Sequence, residues 1–383
     1  MGEWKEYKLR DITSKITSGG TPKSSEANYY DGNIPWLNTK EVNFNRIART
    51  EKCITEEGLN NSSAKWIPKG SVIIAMYGAT AAKVAYSLID LTTNQACCNL
   101  IIDIDIADSQ FVYYYIQSSY EELLNLACGA AQQNLSVGVI ADFPILLPPL
   151  AEQKHIASIL TSLDDKIDLL HSENATLEAM AETLFRQWFI EEAKEDWKEI
   201  SLTKVANFLN GLACQKYPPK NEIEKLPVLK IRELSNGIGD DSDWATTDIA
   251  GEYIIHAGDV IFAWSASLMV KIWDGEDCIL NQHLFKVTSY KYPKWFYYLW
   301  CKHHLNEFIA IAQSHATTMG HIKRSDLESA IVLIPSNQEL MMMNEQMDGM
   351  LRKIENNNRQ LQTLIKVRNG LLPKLINREI SIY

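Results

Sequence analysis

The sequence repeats itself, and the repeat limits what the chain can fold into more than any composition does. "PPLAEQKHIASIL" begins at Pro148 and a blurred copy, "IPSNQELMMMNEQM", begins at Ile334, so that Pro335 follows Pro148 by nearly half the chain. The echo recurs in the same order along both halves. "EWKEYKLRDI" from Glu3 returns as "DWKEISLTKV" from Asp196, and "NIPWLNTKEV" from Asn33 as "KLPVLKIREL" from Lys225. Gly70 in "PKGSVIIAMYGAT" corresponds to Gly258 in "HAGDVIFAWSASL". Asn94 in "TNQACCNLII" matches Asn281 in "LNQHLFKV", at the same offset that separates Pro148 from Pro335. "GAAQQNLS" from Gly129 and "ATTMGHIK" from Ala316 keep that offset too. "FPILLPPL" returns as "AIVLIPSN". One order held over so many segments is a duplication.

Each half reads as a mixed α/β domain followed by a long helical segment. The expected partition is residues 1–150, a central helix over 151–196, a second domain over 197–336 and a distal helix over 337–383. "GSVIIAM", "LIIDIDI" and "FPILLP" are predicted buried strands, as are "DVIFAW", "HLFKVTS" and "AIVLIP". "SQFVYYYIQSSYEELLNLA" and "PKWFYYLWCKHHLNEFIAIA" are each predicted as one amphipathic helix. A length of 383 residues suits two domains of ordinary size.

The helical segments carry a heptad seam. In the first it runs Ile156, Leu160, Leu163, Ile167, Leu170, Asn174, Leu177, Ala181, Leu184 and Trp188. In the second, each residue at the repeat offset from its counterpart, it runs Met343, Met347, Met350, Ile354, Asn357, Leu361, Leu364, Arg368, Leu371 and Leu375. Pro373 is expected to bend or end the second helix. Packed antiparallel, the seams meet best when Asn174 faces Asn357. Leu160 then meets Leu371, Ile167 meets Leu364, Leu177 meets Ile354 and Leu184 meets Met347. Arg368 falls opposite Leu163 and is expected to extend its charge to solvent along an apolar stem. Asn174 and Asn357 are therefore the candidate register residues.

Charge and cysteine use narrow the class. The net charge of −11 argues against an unaided DNA grip, because phosphate contacts need Lys and Arg. Residues 151–196 hold eleven acids against four bases and account for much of that excess. The seven cysteines show no CxxC spacing, which fits reduced thiols in the cytoplasm rather than a metal site or disulfide framework. The most apolar run is broken by Gly78 and Lys83, so no membrane span is expected.

No residue is assigned to catalysis, cofactor or metal. There is no GxxxxGK[ST] loop, no glycine-rich nucleotide turn, and no Asn/Asp-Pro-Pro-aromatic tetrad. Pro218-Pro219 sits among the wrong neighbours, in "KYPPK". The pairs Glu152/Lys154 and Glu192/Lys194 lie on or beside a helix, not at a strand end where carboxylates gather a metal. Histidines 303, 304, 315 and 321 share no carboxylate or thiolate spacing that would complete a metal site.

In this order of features the chain resembles the specificity subunits of Type I restriction–modification systems. The residues that carry the likeness are Pro148, Pro149, Leu150, Glu152 and Gln153 at the start of the central helix. "SGGTPKS…YYDGNIPWLNTKEV", "LFRQWFIEE" and "LLPKLINREI" add to it, while "PSNQEL" departs from the pattern at the second helix. The resemblance implies two target-recognition domains in tandem, joined and spaced by two long helices that form an antiparallel coiled coil. It implies that each domain reads one half of a bipartite site on double-stranded DNA. It also implies docking of two modification (methyltransferase) subunits and then restriction (motor–endonuclease) subunits. S-adenosylmethionine, ATP and magnesium would belong to those partners, and none to this chain. Two other readings stand beside it: a self-contained modification or cleavage enzyme, and a coiled-coil adaptor without a DNA role.

The polar loops of the shared framework supply the DNA-binding candidates. The first half offers Thr21, Lys23, Asn38, Lys40, Tyr77, Gln132, Gln133 and Asn134. The second offers Lys216, Tyr217, Lys230, Arg232, Trp264, Ser265, His315, Thr318, His321 and Lys323. Asn and Gln suit bidentate pairing with adenine, and Arg232 is the natural guanine reader of its set. The seam from Ile156 to Trp188 spans about 50 Å at roughly 1.5 Å per residue. That length corresponds to about 14 base pairs at roughly 3.4 Å each.

Overall fold

Each half begins and ends on the same two-stranded ladder. Lys5–Lys8 pairs antiparallel with Pro144–Leu147, and Lys198–Ser201 with Ile331–Ile334. In Pro144–Leu147 the alternation is visible: Ile145 and Leu147 are buried while Pro144 and Leu146 face outward, as a period of two requires. The computed structural model describes residues 3–127, 134–239, 241–314 and 320–380. The candidates Gln132, Gln133, His315 and Thr318 lie outside them.

The chain divides into two compact units, one of Met1–Lys166 with Leu364–Tyr383 and one of Ile167–Thr363. In the first, a sheet runs in the order Thr13–Ser18, Cys97–Ile102, Val72–Ala75, Val84–Ser87 and Asn45–Ile47, antiparallel until the last, parallel pair. A second sheet runs Lys52–Ile54, Tyr30–Leu37, Leu91–Thr93 and Trp66–Ile67, with its middle pair parallel. The second unit repeats this plan. Asn207–Asn210, Leu284–Thr288, Val260–Ala263 and Met269–Ile272 form one antiparallel sheet. Trp244–Thr246, Lys225–Leu229, Cys278–Leu280 and Ile254–Ile255 form the other, again parallel at its middle pair. Val72–Ala75 and Val260–Ala263 are buried along their whole length, which explains their unbroken apolar runs.

The two amphipathic stretches differ from expectation. Each is two helices: Ser109–Ser118 with Tyr120–Ala127, and Lys294–His303 with Leu305–Ser314. The interruptions at Ser119 and His304 are mild, because Leu123 N still reaches Ser119 O and Phe308 N reaches His304 O, both at 3.0 Å.

The central helix is Leu150–Arg186, followed by a wider π-type turn over Gln187–Glu191. Its start is locked by Gln153, buried, which accepts from Asp108 N at 2.9 Å and donates to Pro148 O at 2.9 Å. The distal helix, Asn337–Ile376, starts differently. Ser336 and Glu339 cap it reciprocally, Ser336 N donating to Glu339 Oε2 at 3.0 Å and Glu339 N to Ser336 Oγ at 3.3 Å. A matching Trp–Glu contact marks both starts: Trp4 Nε1 to Glu152 at 3.3 Å and Trp197 Nε1 to Glu339 at 3.2 Å.

The distal helix continues through Pro373 to Ile376, so the proline does not end it. Leu372, Leu375 and Ile376 are buried in the same core as Ile156 and Leu160. That burial offsets the roughly 3 kcal/mol an internal proline costs. Within each unit the helices run antiparallel. Asp164 meets Arg368 in the first, while Asn174 meets Asn357 and Glu173 meets Lys353 in the second. Arg368 does not extend to solvent as expected: its side chain is 17% exposed and its guanidinium pairs with Asp164, 7% exposed, at 3.1 Å. A carboxylate one residue beyond the seam gives the charge a partner. Tyr114 OH donates to the same Asp164 at 2.7 Å.

Candidate nucleic-acid interface

Three chain segments converge where the buried central strand of each unit ends. In the first unit Met76 N donates to Ala96 O at 2.8 Å and Leu135 N to Met76 O at 2.9 Å. Tyr77 and Asn134 pair there as an isolated antiparallel bridge. In the second, Trp264 N donates to His283 O at 3.3 Å and Ile322 N to Trp264 O at 3.1 Å, and Ser265 bridges His321. Trp264, Ser265 and His321 take the places of Met76, Tyr77 and Asn134, so the duplicated loops land in duplicated places.

At the centre of each cluster is an Asn–Gln turn. Asn94, 7% exposed, donates from Nδ2 to Thr39 Oγ1 at 3.0 Å and accepts from Ala96 N at 3.2 Å. Asn281, 6% exposed, accepts from His283 N at 3.3 Å in the same way. Such a side chain folds the backbone back over its own position and holds the turn rigid. A glycine lets the neighbouring loop press against each turn. A Cβ on Gly19 would stand 2.0 Å from Thr93 O, and one on Gly211 would stand 2.3 Å from Asn281 O. Any side chain there would push the loop off the turn.

The expected residues distribute unevenly around these turns. Thr21 hydrogen-bonds Gln95 through its hydroxyl. Asn38 caps the short helical turn at Thr39–Glu41, accepting from Lys40 N at 3.2 Å. Trp264 stacks on Phe285 with centroids 5.7 Å apart and donates from Nε1 to Asn210 at 3.2 Å. Ser265 Oγ contacts His283 Nδ1 at 3.1 Å. Tyr77, Asn134 and His321 are exposed.

Among the described residues, no hydrogen bond joins Lys23, Lys40, Lys216, Tyr217, Lys230, Arg232 or Lys323 to either turn. Lys40 pairs with Glu51 at 2.5 Å, and that hydrogen bond raises its pKa. Lys230 pairs with Asp243 and holds that carboxyl below its ordinary value. Arg232 contacts Glu233 through Nε at 2.9 Å and Nη2 at 2.6 Å, and reaches Asp241 as well. Its fork is thus filled by protein carboxylates. Lys23, Lys216, Tyr217 and Lys323 are exposed.

Two residues at the centre, Gln95 and Gln282, were not among the expected ones, although the repeated Asn-Gln dipeptide marked them. The six described cysteines are free, and burial pushes Cys98 up to about 12. His303 and His304 pack against Trp300 with centroids 5.4 and 5.8 Å away, and burial lowers His303. No described helix is long and apolar enough to cross a membrane.

The duplicated geometry is matched by duplicated family likeness. The model for the Type I restriction modification DNA specificity domain matches residues 1–179 and again 194–366. The chain belongs to that family. Among its relatives is the Type I restriction enzyme MjaIX specificity subunit of Methanocaldococcus jannaschii, 26% identical over 412 residues, covering 99% of this chain and 94% of that protein. The Type I restriction enzyme EcoBI specificity subunit of Escherichia coli is 25% identical over 177 residues, 45% of this chain and 36% of that one. The crystal structure of the Type I restriction–modification S subunit from M. genitalium shares the fold with a TM-score of 0.58. That alignment has 15% identity and covers 98% of this chain and 96% of the other. As a member of the specificity family, the chain has one family domain for each of its two loop clusters.

Proposed function

We propose that this chain is the DNA-reading subunit of a Type I restriction–modification complex. Each unit reads one half of a bipartite site on double-stranded DNA, and the paired helices set the spacer. The observation that supports this best is the repetition of one polar cluster, at the same strand end, in two units of one chain. A protein that reads two half-sites needs two such clusters on rigid supports.

The chemistry of modification and cleavage is assigned to partners. Methyltransferase subunits would dock along the helices, and motor–endonuclease subunits would join them, bringing S-adenosylmethionine, ATP and magnesium. The net charge of −11 and the neutralised Lys230 and Arg232 fit a reader whose partners supply much of the phosphate contact. Exchange of residues 1–150 for those of another family member, followed by sequencing of methylated sites, tests the reading. One half-site should change while the other half and the spacing survive. A hybrid that altered both halves would overturn it.

A further inference from the structure

The two loop clusters differ in their surroundings and share one common element, and the contrast is informative. Since the halves are copies, positions that have diverged are where their tasks differ, and positions kept identical without a structural need serve a task they share. Met76 stands where the second unit has Trp264, Tyr77 where it has Ser265, Asn134 where it has His321, and Ala96 where it has His283. Within this divergence the Asn–Gln pair is unchanged.

The asparagine is explained by the fold: its buried amide builds the turn. The glutamine is not. Gln95 is exposed, and its side chain bonds the exposed Thr21 hydroxyl. Gln282 is half-buried, with a long 3.4 Å contact to the neighbouring His283 ring. Neither contact holds the turn together. Both side chains are long amides carried on a turn that the buried asparagine beside them holds. A primary amide offers one acceptor and one donor side by side, which matches the N6 amino group and N7 of adenine in the major groove.

We propose that Gln95 and Gln282 are base-reading residues, each pairing with an adenine in its own half-site. The residues that differ in the two clusters, Tyr77 and Asn134 against Ser265 and His321, read the neighbouring positions. The proposal rests on the DNA-reading function above and adds the residue and the base.

The test uses the full chain assembled with its methyltransferase partners and a library of DNA duplexes randomised over the site. Gln95→Ala should lower the preference for adenine at one position of one half-site by roughly 5- to 150-fold, the range of a lost bidentate contact. The other half-site should be untouched. Gln282→Ala should do the same for the other half. Gln95→Glu keeps the size of the side chain but turns the N7 donor into an acceptor, so it should lose adenine too. This second variant guards against an effect of truncation on folding.

Uniform weakening at every position would make the glutamines backbone contacts and overturn the proposal. Unchanged adenine preference in all three variants would overturn it alone. Failure of the unaltered chain to select any two-part sequence would remove the DNA-reading function, and the proposal with it.

Discussion

Replacing Asn357 with leucine should destabilise the second unit, although leucine belongs in a helix seam. Asn357 is fully buried and donates from Nδ2 to Asn174 Oδ1 at 2.9 Å and to Glu173 Oε2 at 3.0 Å. Asn174 in turn donates to Asn358 Oδ1 at 2.6 Å. Leucine removes both donations, worth about 1 kcal/mol for the amide acceptor and about 1.5–3 kcal/mol for the carboxylate. Against this, Asn357 Oδ1 is buried without a partner. Removing that atom returns about 1–3 kcal/mol, and the added apolar contact returns a little more. The net expectation is a loss of about 1 kcal/mol, or roughly 2–4 °C in Tm for a unit of this size.

The double variant Asn174→Leu/Asn357→Leu replaces both partners with apolar groups, so it should recover much of the loss. Denaturant unfolding of the two single variants and the double gives the coupling, expected at about 1–2 kcal/mol. If the three free energies add within about 0.5 kcal/mol, the two amides share no energy and do not fix the helix register.

Other perturbations separate the remaining contacts. Arg368→Met should cost the first unit about 3–5 kcal/mol, because it leaves the Asp164 carboxylate buried with Tyr114 alone; Asp164→Leu/Arg368→Met should regain most of it, as read by thermal unfolding. The Lys194 ammonium, then Ser336, hold Glu339 down at about 2 against an ordinary 4.5. A depressed carboxyl stabilises the fold above its unfolded value, and that stability fades as pH falls from 4.5 toward about 2. Glu339→Gln should therefore lower Tm at neutral pH and flatten its fall across that acid window. Asp241→Asn with Asp243→Asn frees Lys230 and one arm of Arg232, whose Nε and Nη2 stay on Glu233, and removes two negative charges. The assembled complex should then bind DNA several-fold tighter at low salt, with a steeper salt dependence; unchanged affinity would place Lys230 away from DNA.

The duplication and the seams were legible because they are written in spacing. A buried strand such as Val72–Ala75 announces itself by an unbroken apolar run, and a seam by its heptads. Partners one residue off a pattern were not legible. The seam predicted Leu163 beside Arg368, but Asp164 sits on the adjacent position and captures the charge. The breaks at Ser119 and His304 leave no mark, because the apolar period continues across them. Pro373 does not end the helix because its penalty is local, whereas the burial of Leu375 and Ile376 depends on Ile156 and Leu160, far back along the chain on the central helix. At the clusters, Arg232 looked like a reader by type alone. Only the folded arrangement shows its fork filled by Glu233 and Asp241, and Gln95 exposed on its turn with its side chain on the Thr21 hydroxyl.

The second unit is one uninterrupted stretch, Ile167–Thr363, whereas the first needs Leu364–Tyr383 as well as Met1–Lys166. On a ribosome, this difference sets an order. The opening segment, Met1–Lys166, emerges first yet waits for the last turns of the distal helix, where Arg368 meets Asp164 and Leu375 joins the core of Ile156 and Leu160. The later-born unit has all its residues before the earlier one does. During that interval the apolar stripe around Ile156 and Leu160 is uncovered, and the buried Asp164 lacks its counter-charge. A chain released after Thr363 would therefore hold every residue of the second unit and an unfinished, sticky first one, the species a chaperone would meet.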